Sequence, residues 1–184
     1  MSTNGFLIRD GLEDDIAACL ELDHQYSTDY VWQMTMDERP GHWQVTFNTQ
    51  RLPRLLETVY PPRAHRLRLA AAASDQCFLV AAARIDHSML GYLTMRNDAV
   101  HSIALIQDVV VSQPFRGQRI GTRLIGVARQ WAAEHQLSRF MIEVSTQNYP
   151  AIHFCQKLGF KFCGFNDHYF DNHDIAVFFS QSVR

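Results

Sequence analysis

One stretch, Gln107 to Ala133, limits the folds open to this chain more than any other. Ile106 to Val111 is a β-branched, apolar run, which predicts a buried strand. Pro114 to Gly121 is a loop holding a proline, two glycines and two arginines. From Thr122 onward the spacing is helical, with Leu124, Val127, Ala128 and Trp131 on one face. Strand, basic glycine loop and helix together offer backbone N–H groups and a positive helix end to a phosphate. Arg116 and Arg119 add fixed charge and several donors. The loop is not a nucleotidase P-loop, because no Gly-Lys-Ser/Thr follows, and Gly-x-Gly-x-x-Gly is absent too. The competing reading of the same residues is a surface turn that uses arginine for solubility.

Composition narrows the classes around that unit. A chain of 184 residues with 47% apolar content predicts a single globular domain, 1–184. Its net charge of −2 supplies no general basic field for nucleic acid. No apolar run reaches the ~18 residues of a membrane span. Met1-Ser-Thr-Asn-Gly lacks the basic and apolar regions of a secretory leader, so a cytoplasmic location is expected. Cys19, Cys77, Cys155 and Cys163 form no Cys-x-x-Cys pair, and the nine histidines are scattered, so free thiols and no metal are expected.

In chain order, Phe6 to Arg9 reads as a strand, and Asp10 as the start of a helix to about His24, with Glu13 as a capping-box partner. Residues 26–62 are variable in character and rich in aromatics, including Tyr26, Tyr30, Trp32, Trp43 and Phe47. They read either as a lid helix and hairpin completing the core or as a substrate wall. Only Trp43 to Thr49 alternates as a strand should. A short helix is expected over 61–74, with Arg63, Arg66 and Arg68 on its solvated face. Cys77–Ala83 and Met89–Arg96 read as a hairpin, and His101–Val111 as the strand entering the glycine loop. Arg139–Ser145 is the next strand. Asn148 then caps a helix with Ala151, Phe154, Cys155 and Leu158 on one side, closed by Gly159. Two strands, 160–165 and 174–180, finish a mixed α/β sheet.

Two motifs at this separation resemble those of the GNAT superfamily of acyl-CoA-dependent N-acetyltransferases. The first is Arg116-Gly117-Gln118-Arg119-Ile120-Gly121, after a strand; the second runs from Asn148 through Ala151 and Phe154 to Gly159-Phe160. The ending Cys163-Gly-Phe-Asn-Asp-His-Tyr-Phe, then Asp174-Ile-Ala-Val-Phe-Phe, looks like the streptothricin-acetyltransferase-like branch. The resemblance implies a GNAT fold, a mostly antiparallel sheet splayed between two central parallel strands and flanked by helices. It implies acetyl-CoA as cosubstrate, its pyrophosphate on Arg116, Gly117, Gln118, Arg119, Ile120, Gly121 and Thr122. The pantetheine arm would pair with the backbone of Val109 and Val111, and an N–H near Val109 or Val110 would hold the thioester oxygen. Asn148 matches a residue that contacts the cofactor arm.

Asp108 and Glu143 are the carboxylates that could take a proton from the attacking amine, or be structural. Tyr26, Tyr30, Trp32 and Tyr169 are candidates to line an acceptor pocket. The sequence departs from the family pattern at three places. Arg119 stands where the motif has its first Gly, Gln107 where a Glu often precedes the Asp, and Cys155 where a Tyr usually protonates departing coenzyme A. Cys155 could donate that proton, with its reference pKa of about 8.5 against about 10 for Tyr; Tyr149, Tyr169 or water could substitute, or Cys155 could simply be packed. The expected function is therefore acetyl transfer to a primary amine by direct attack, the acceptor a small molecule or a peptide. An acyl-CoA sensor with little catalysis and a protein N-terminal or lysine acetylase are the alternatives. The final strands admit a homodimer.

Overall fold

The computed structural model describes residues 5–183. Met1 to Asn4, on which part of the expectation about a leader rests, and Arg184 lie outside the described residues. The chain runs β1 (Phe6–Asp10), α1 (Ile16–Leu20), β2 (Gln25–Arg39), β3 (His42–Val59), α2 (Ala64–Ala72), β4 (Gln76–Ala83), β5 (Met89–Asp98), β6 (Ile103–Val111), α3 (Ile120–Glu134), β7 (Arg139–Ser145), α4 (Tyr149–Lys157), β8 (Lys161–Asn166) and β9 (Ala176–Ser182). Its contacts divide into two units. One takes the chain up to Gln25, Val59–Ile142 and the end from Ser180; the other takes Tyr26–Thr58 and Glu143–Phe179.

In the first unit the strand order is β1-β4-β5-β6-β7. The pairs are antiparallel except β6 with β7, which is parallel from Ile103↔Arg139 to Ile106↔Ile142. β4 is buried along almost its whole length, as its unbroken apolar run requires. One core cluster joins Ile16 and Cys19 of α1, Leu67 and Ala70 of α2, and Phe78, Val80, Tyr92 and Val110 of the sheet. α3 packs on β4, β5 and β6.

Local chemistry shifts two helices from their expected limits. Gly11 N–H still donates to the Phe78 carbonyl at 2.8 Å, prolonging the contact of β1 with β4. A Cβ at Gly11 would fall 2.5 Å from the Phe78 ring. The capping assigned to Asp10 and Glu13 is performed by Asp15, which accepts from Leu12 N–H at 2.9 Å and from the Arg9 guanidinium at 2.6 and 2.7 Å. That hydrogen-bonded ion pair holds the Asp15 carboxyl below its usual range. α1 thus starts at Ile16, preceded by one 3-10 turn. α3 starts at Ile120, ahead of Thr122, because Arg119 takes a left-handed turn (φ 65°, ψ 10°) and reverses the chain there. Its buried face is Ile120, Leu124, Ile125, Ala128 and Ala132. Val127 and Trp131 lie at the margin, and Trp131 stacks on His135 at 3.6 Å.

In the second unit, β2 and β3 form a two-stranded sheet. The lid helix is absent: residues 26–58 are strand except for a turn at Pro40-Gly41, where Gly41 has φ 74°. The alternation was hidden because both faces of these strands carry polar residues. Pro53 lies within β3, a place open to proline where no ladder N–H is needed. Trp32 packs on Phe47, Phe162 and Phe179, with ring centroids 5.9, 6.2 and 5.7 Å away. The strands of this unit run from the end of β7 to β9 and then β8. α4 is capped as expected: Asn148 Oδ1 accepts from Ala151 N–H at 3.1 Å. Its buried residues are Ile152 and Cys155; Ala151, Phe154 and Leu158 are half-buried. Gly159 (φ 82°) ends it, with Phe160 N–H donating to the Cys155 carbonyl at 3.1 Å.

Candidate active site

β6 contains one residue more than its antiparallel partner. Asp108 faces Thr94 and Ile106 faces Met95, so Gln107 is the extra residue of a β-bulge. Within the first unit the parallel ladder to β7 runs to Ile106↔Ile142, immediately before that bulge. Beyond it the antiparallel alternation settles which amides face β5. Ser112 N–H donates to the Leu90 carbonyl of the β5 side at 2.9 Å. Two-residue alternation then turns Val110 and Asp108 backbone toward β5 as well, and Val109 and Val111 away from it. Of the two amides considered for a thioester oxygen, Val109 is the one turned away from β5.

Asp108 is 3% exposed, and both of its oxygens are engaged. Oδ1 accepts from the Tyr60 hydroxyl at 2.5 Å and lies 3.7 Å from Arg66 Nη1. Oδ2 accepts from the Thr94 hydroxyl at 2.5 Å. Arg66 also donates to the Gln107 carbonyl at 3.3 Å. The Tyr60 oxygen lies 3.3 Å from that same carbonyl, but its single proton goes to the nearer carboxylate. Burial, then the adjacent Asp108 charge, pushes the Tyr60 phenol well above its ordinary value. Arg66 is therefore not on a solvated face: its side chain is 13% exposed. Arg63 is half-buried, and Arg68 alone of the three is exposed. Tyr60 and Thr94 carry no mark in the sequence as site residues, and Arg66 reads there as solvated. Arg66 carried a signal, because it precedes Ala70 by four residues and flanks Leu67, both of which point into the core.

The loop after β6 has the form expected of an anion cradle. Gly117 (φ 78°) and Arg119 (φ 65°) both turn left-handed, and α3 opens at Ile120 with first-turn N–H groups that have no partner inside the helix. No atom lies within 4 Å of where a Gly117 Cβ would stand, so the left-handed φ rather than space calls for glycine there. Arg116 ties the loop to the sheet: its Nε donates to the Val111 carbonyl at 2.9 Å and its Nη2 to the Asp23 carbonyl at 3.4 Å. Burial lowers its pKa from the usual arginine value. Gln118 Nε2 lies 3.5 Å from the Pro114 carbonyl, and Thr122 is exposed.

The second unit holds the other candidates. Glu143, 7% exposed, accepts from the Tyr169 hydroxyl through Oε2 at 2.6 Å. Ser145, two residues along the same strand, donates to Asp174 at 2.8 Å. Burial, then the Asp174 charge, pushes the Tyr26 phenol up to about 12. Tyr30 packs on Tyr149 with centroids 5.5 Å apart. Trp32, in its aromatic cluster, packs as a core residue does. Cys155 is 1% exposed, and burial pushes its thiol up to about 12. Such a thiol is a weaker acid than the thiol of a leaving coenzyme A, which belongs near the ordinary value of about 8.5. Among the described residues no group of three or more His, Cys, Asp or Glu could hold a metal ion, and no helix is long and apolar enough to cross a membrane.

Residues 32–160, well over half of the chain, match the family model described as Acetyltransferase (GNAT) family. The chain belongs to the GNAT acetyltransferase family. This GNAT chain is 33% identical over 91 residues to a streptothricin acetyltransferase of Escherichia coli, covering 50% of this chain and 52% of that protein. It is 33% identical over 79 residues to one of Streptomyces lavendulae, covering 43% of this chain and 42% of that one. The matches thus span about half or less of the length of these curated relatives. In fold, the chain is similar to the crystal structure of nourseothricin acetyltransferase, with a TM-score of 0.83 at 23% identity over 97% of this chain and 99% of that one. A putative streptothricin acetyltransferase from Bacillus anthracis, solved in complex with acetyl coenzyme A, gives 0.79 at 20% identity over 97% and 98%.

Proposed function

We propose that this GNAT chain transfers acetyl from acetyl-CoA to a primary amine of a small cationic molecule of the streptothricin kind. The observation that carries the reading is the run from the β6 bulge to the left-handed Arg119 and the start of α3. It supplies backbone amides turned away from β5 for an amide-bearing arm and a helix start for a pyrophosphate. The sequence likeness to streptothricin acetyltransferases supports the class of acceptor.

In this reading the first-turn N–H groups of α3, with Arg119, hold the pyrophosphate, while Arg116 fixes the loop by its bonds to Val111 and Asp23. Val109 C=O pairs with the pantetheine arm, and the Val109 N–H polarises the thioester carbonyl. The acceptor arrives as an ammonium and must lose a proton to free its lone pair. A carboxylate takes that proton, directly or through a water; of the two candidates, Glu143 accepts from the Tyr169 hydroxyl. Asp108 does not compete for this role, because hydroxyl donors occupy both of its oxygens. The nitrogen then attacks the carbonyl carbon and the C–N bond forms. The C–S bond breaks with its electron pair on sulfur, and nitrogen releases its second proton to water. Sulfur takes a proton from solvent rather than from Cys155, whose buried thiol holds its own too firmly. Tyr26, Asp174 and Tyr169 give the acceptor side an acidic and phenolic character suited to a cation.

Calorimetry with acetyl-CoA and a thiol-release assay over streptothricin-like, aminoglycoside-like and peptide amines test the proposal. Binding by the wild type, its loss in Arg116→Ala with Gly121→Glu, and turnover of streptothricin-like amines are the expected results. No binding sinks the cosubstrate assignment; turnover of peptides alone sinks the acceptor assignment.

A further inference from the structure

We propose that Asp108 is a positioning residue whose buried clamp, made with Tyr60, Thr94 and Arg66, fixes the bulge at Gln107 and so aims the Val109 amide. The proposal rests on the acetyl-transfer reading for its kinetic consequence, but the clamp itself is a matter of structure. A bulge leaves one residue outside the ladder, and its peptide groups need other partners. Here the Gln107 carbonyl finds Arg66 at 3.3 Å from α2. The same guanidinium approaches Asp108 to 3.7 Å, which joins the bulge and the next residue through one cation. Thr94, directly opposite Asp108 in the β5–β6 register, bonds Oδ2. Tyr60, delivered by the chain just before α2, bonds Oδ1.

Three side chains from three separate segments therefore converge on two consecutive residues of β6. A carboxylate held this way is poorly placed to accept a substrate proton. It is well placed to stop the bulged strand from straightening or sliding. Val109 is the next residue, and its amide direction is set by the peptide planes that the clamp holds. Displacing a catalytic group by about 1 Å costs on the order of a hundredfold in rate, so a loosened bulge is expected to lower turnover without removing a reacting group.

Tyr60→Phe, Thr94→Val and Arg66→Met each remove one arm of the clamp and leave the Asp108 carboxylate in place. Expected are falls in kcat of roughly ten- to a hundredfold, KM for acetyl-CoA within about threefold, and an acid limb of the pH–rate profile that does not move. Thr94→Ser, which keeps the hydroxyl, should recover most of what Thr94→Val loses. Hydrogen exchange of the Asp108 and Val110 amides should quicken in the first three variants, a readout that needs no turnover. If Tyr60→Phe keeps kcat within twofold while Asp108→Asn abolishes the acid limb, Asp108 is the base and the proposal fails. Unchanged exchange in all three variants overturns the clamp outright. Failure of the wild type to bind acetyl-CoA would instead defeat the functional reading, and exchange would still decide the clamp.

Discussion

Arg119 offers a prediction in which stability and binding move in opposite directions. It holds φ 65° at the N-cap of α3, it is exposed, and its side chain makes no capping hydrogen bond. A non-glycine residue in the left-handed region carries a penalty of about 1–2 kcal/mol. Arg119→Gly removes that penalty but loosens the unfolded chain, which costs about 0.4–1 kcal/mol. The net gain is about 0.5–1 kcal/mol, or a rise in Tm of roughly 1–4 °C for a chain this long. The same change deletes a guanidinium from the proposed pyrophosphate cradle. A hydrogen bond to a charged group contributes about 1.5–3 kcal/mol, less where water screens it, so acetyl-CoA affinity should fall roughly tenfold at low salt. Arg119→Ala separates the two effects: it keeps the left-handed penalty and loses the charge, so affinity falls without a gain in stability. Urea denaturation followed by circular dichroism and titration calorimetry read the two quantities. A glycine variant less stable than wild type by 1 kcal/mol or more would show that the Arg119 side chain holds the loop, and the strain argument would be wrong.

Alkaline pH should unfold the protein through its buried thiols. Cys19, Cys77 and Cys155 are each raised by burial to about 12, against about 8.5 in an unfolded chain. Their stabilising contribution is complete below about pH 8.5 and is lost as pH climbs toward 12, by about 4 kcal/mol per pH unit where all three titrate in the unfolded state. Against a domain stability of about 5–15 kcal/mol the denaturation midpoint should collapse between about pH 10 and 12; a flat urea midpoint up to pH 11 would contradict this. Native-state labelling with a thiol reagent at neutral pH should modify exposed Cys163 and spare the other three, as a mass spectrum of the peptides would report. In Gly91→Ala the new Cβ would meet the Val110 carbonyl oxygen at 2.5 Å and the Val111 Cα at 3.2 Å. Backbone cannot rotate away as a side chain can, so a loss of about 1–3 kcal/mol and weaker acetyl-CoA binding are expected by melting and calorimetry.

Much of the scaffold was legible because its signals are local. The unbroken apolar run of Cys77–Ala83 demanded a covered strand, and Asn148 followed by Pro150 demanded a capped helix start. The long β2–β3 hairpin was not legible. Its strands carry polar residues on both faces, so no period of two stands out. The site divides in the same way. Arg116–Gly121 announces its turn through glycine and charge, and Arg119 stands where the resembling motif has its first Gly, the residue that takes a left-handed turn most freely. The surroundings of Asp108 are contributed by Tyr60, Arg66 and Thr94, which lie 48, 42 and 14 residues away, a convergence set by tertiary packing and not by spacing. The bulge adds a further obstacle. Spacing of two puts Ile106 and Asp108 on one face, whereas the register sets Ile106 opposite Met95 and Asp108 opposite Thr94, which are on opposite faces.

That register makes Gln107 removable in a particular sense. With it deleted, Ile106 and Asp108 become neighbours, still opposite Met95 and Thr94, and the ladder closes into a regular strand with every side chain on the face it already occupies. The loss would be the kink and the carbonyl that Arg66 holds. A three-nucleotide deletion would then leave the sheet intact and, on the clamp proposal, lower turnover, so activity and fold would part in one step.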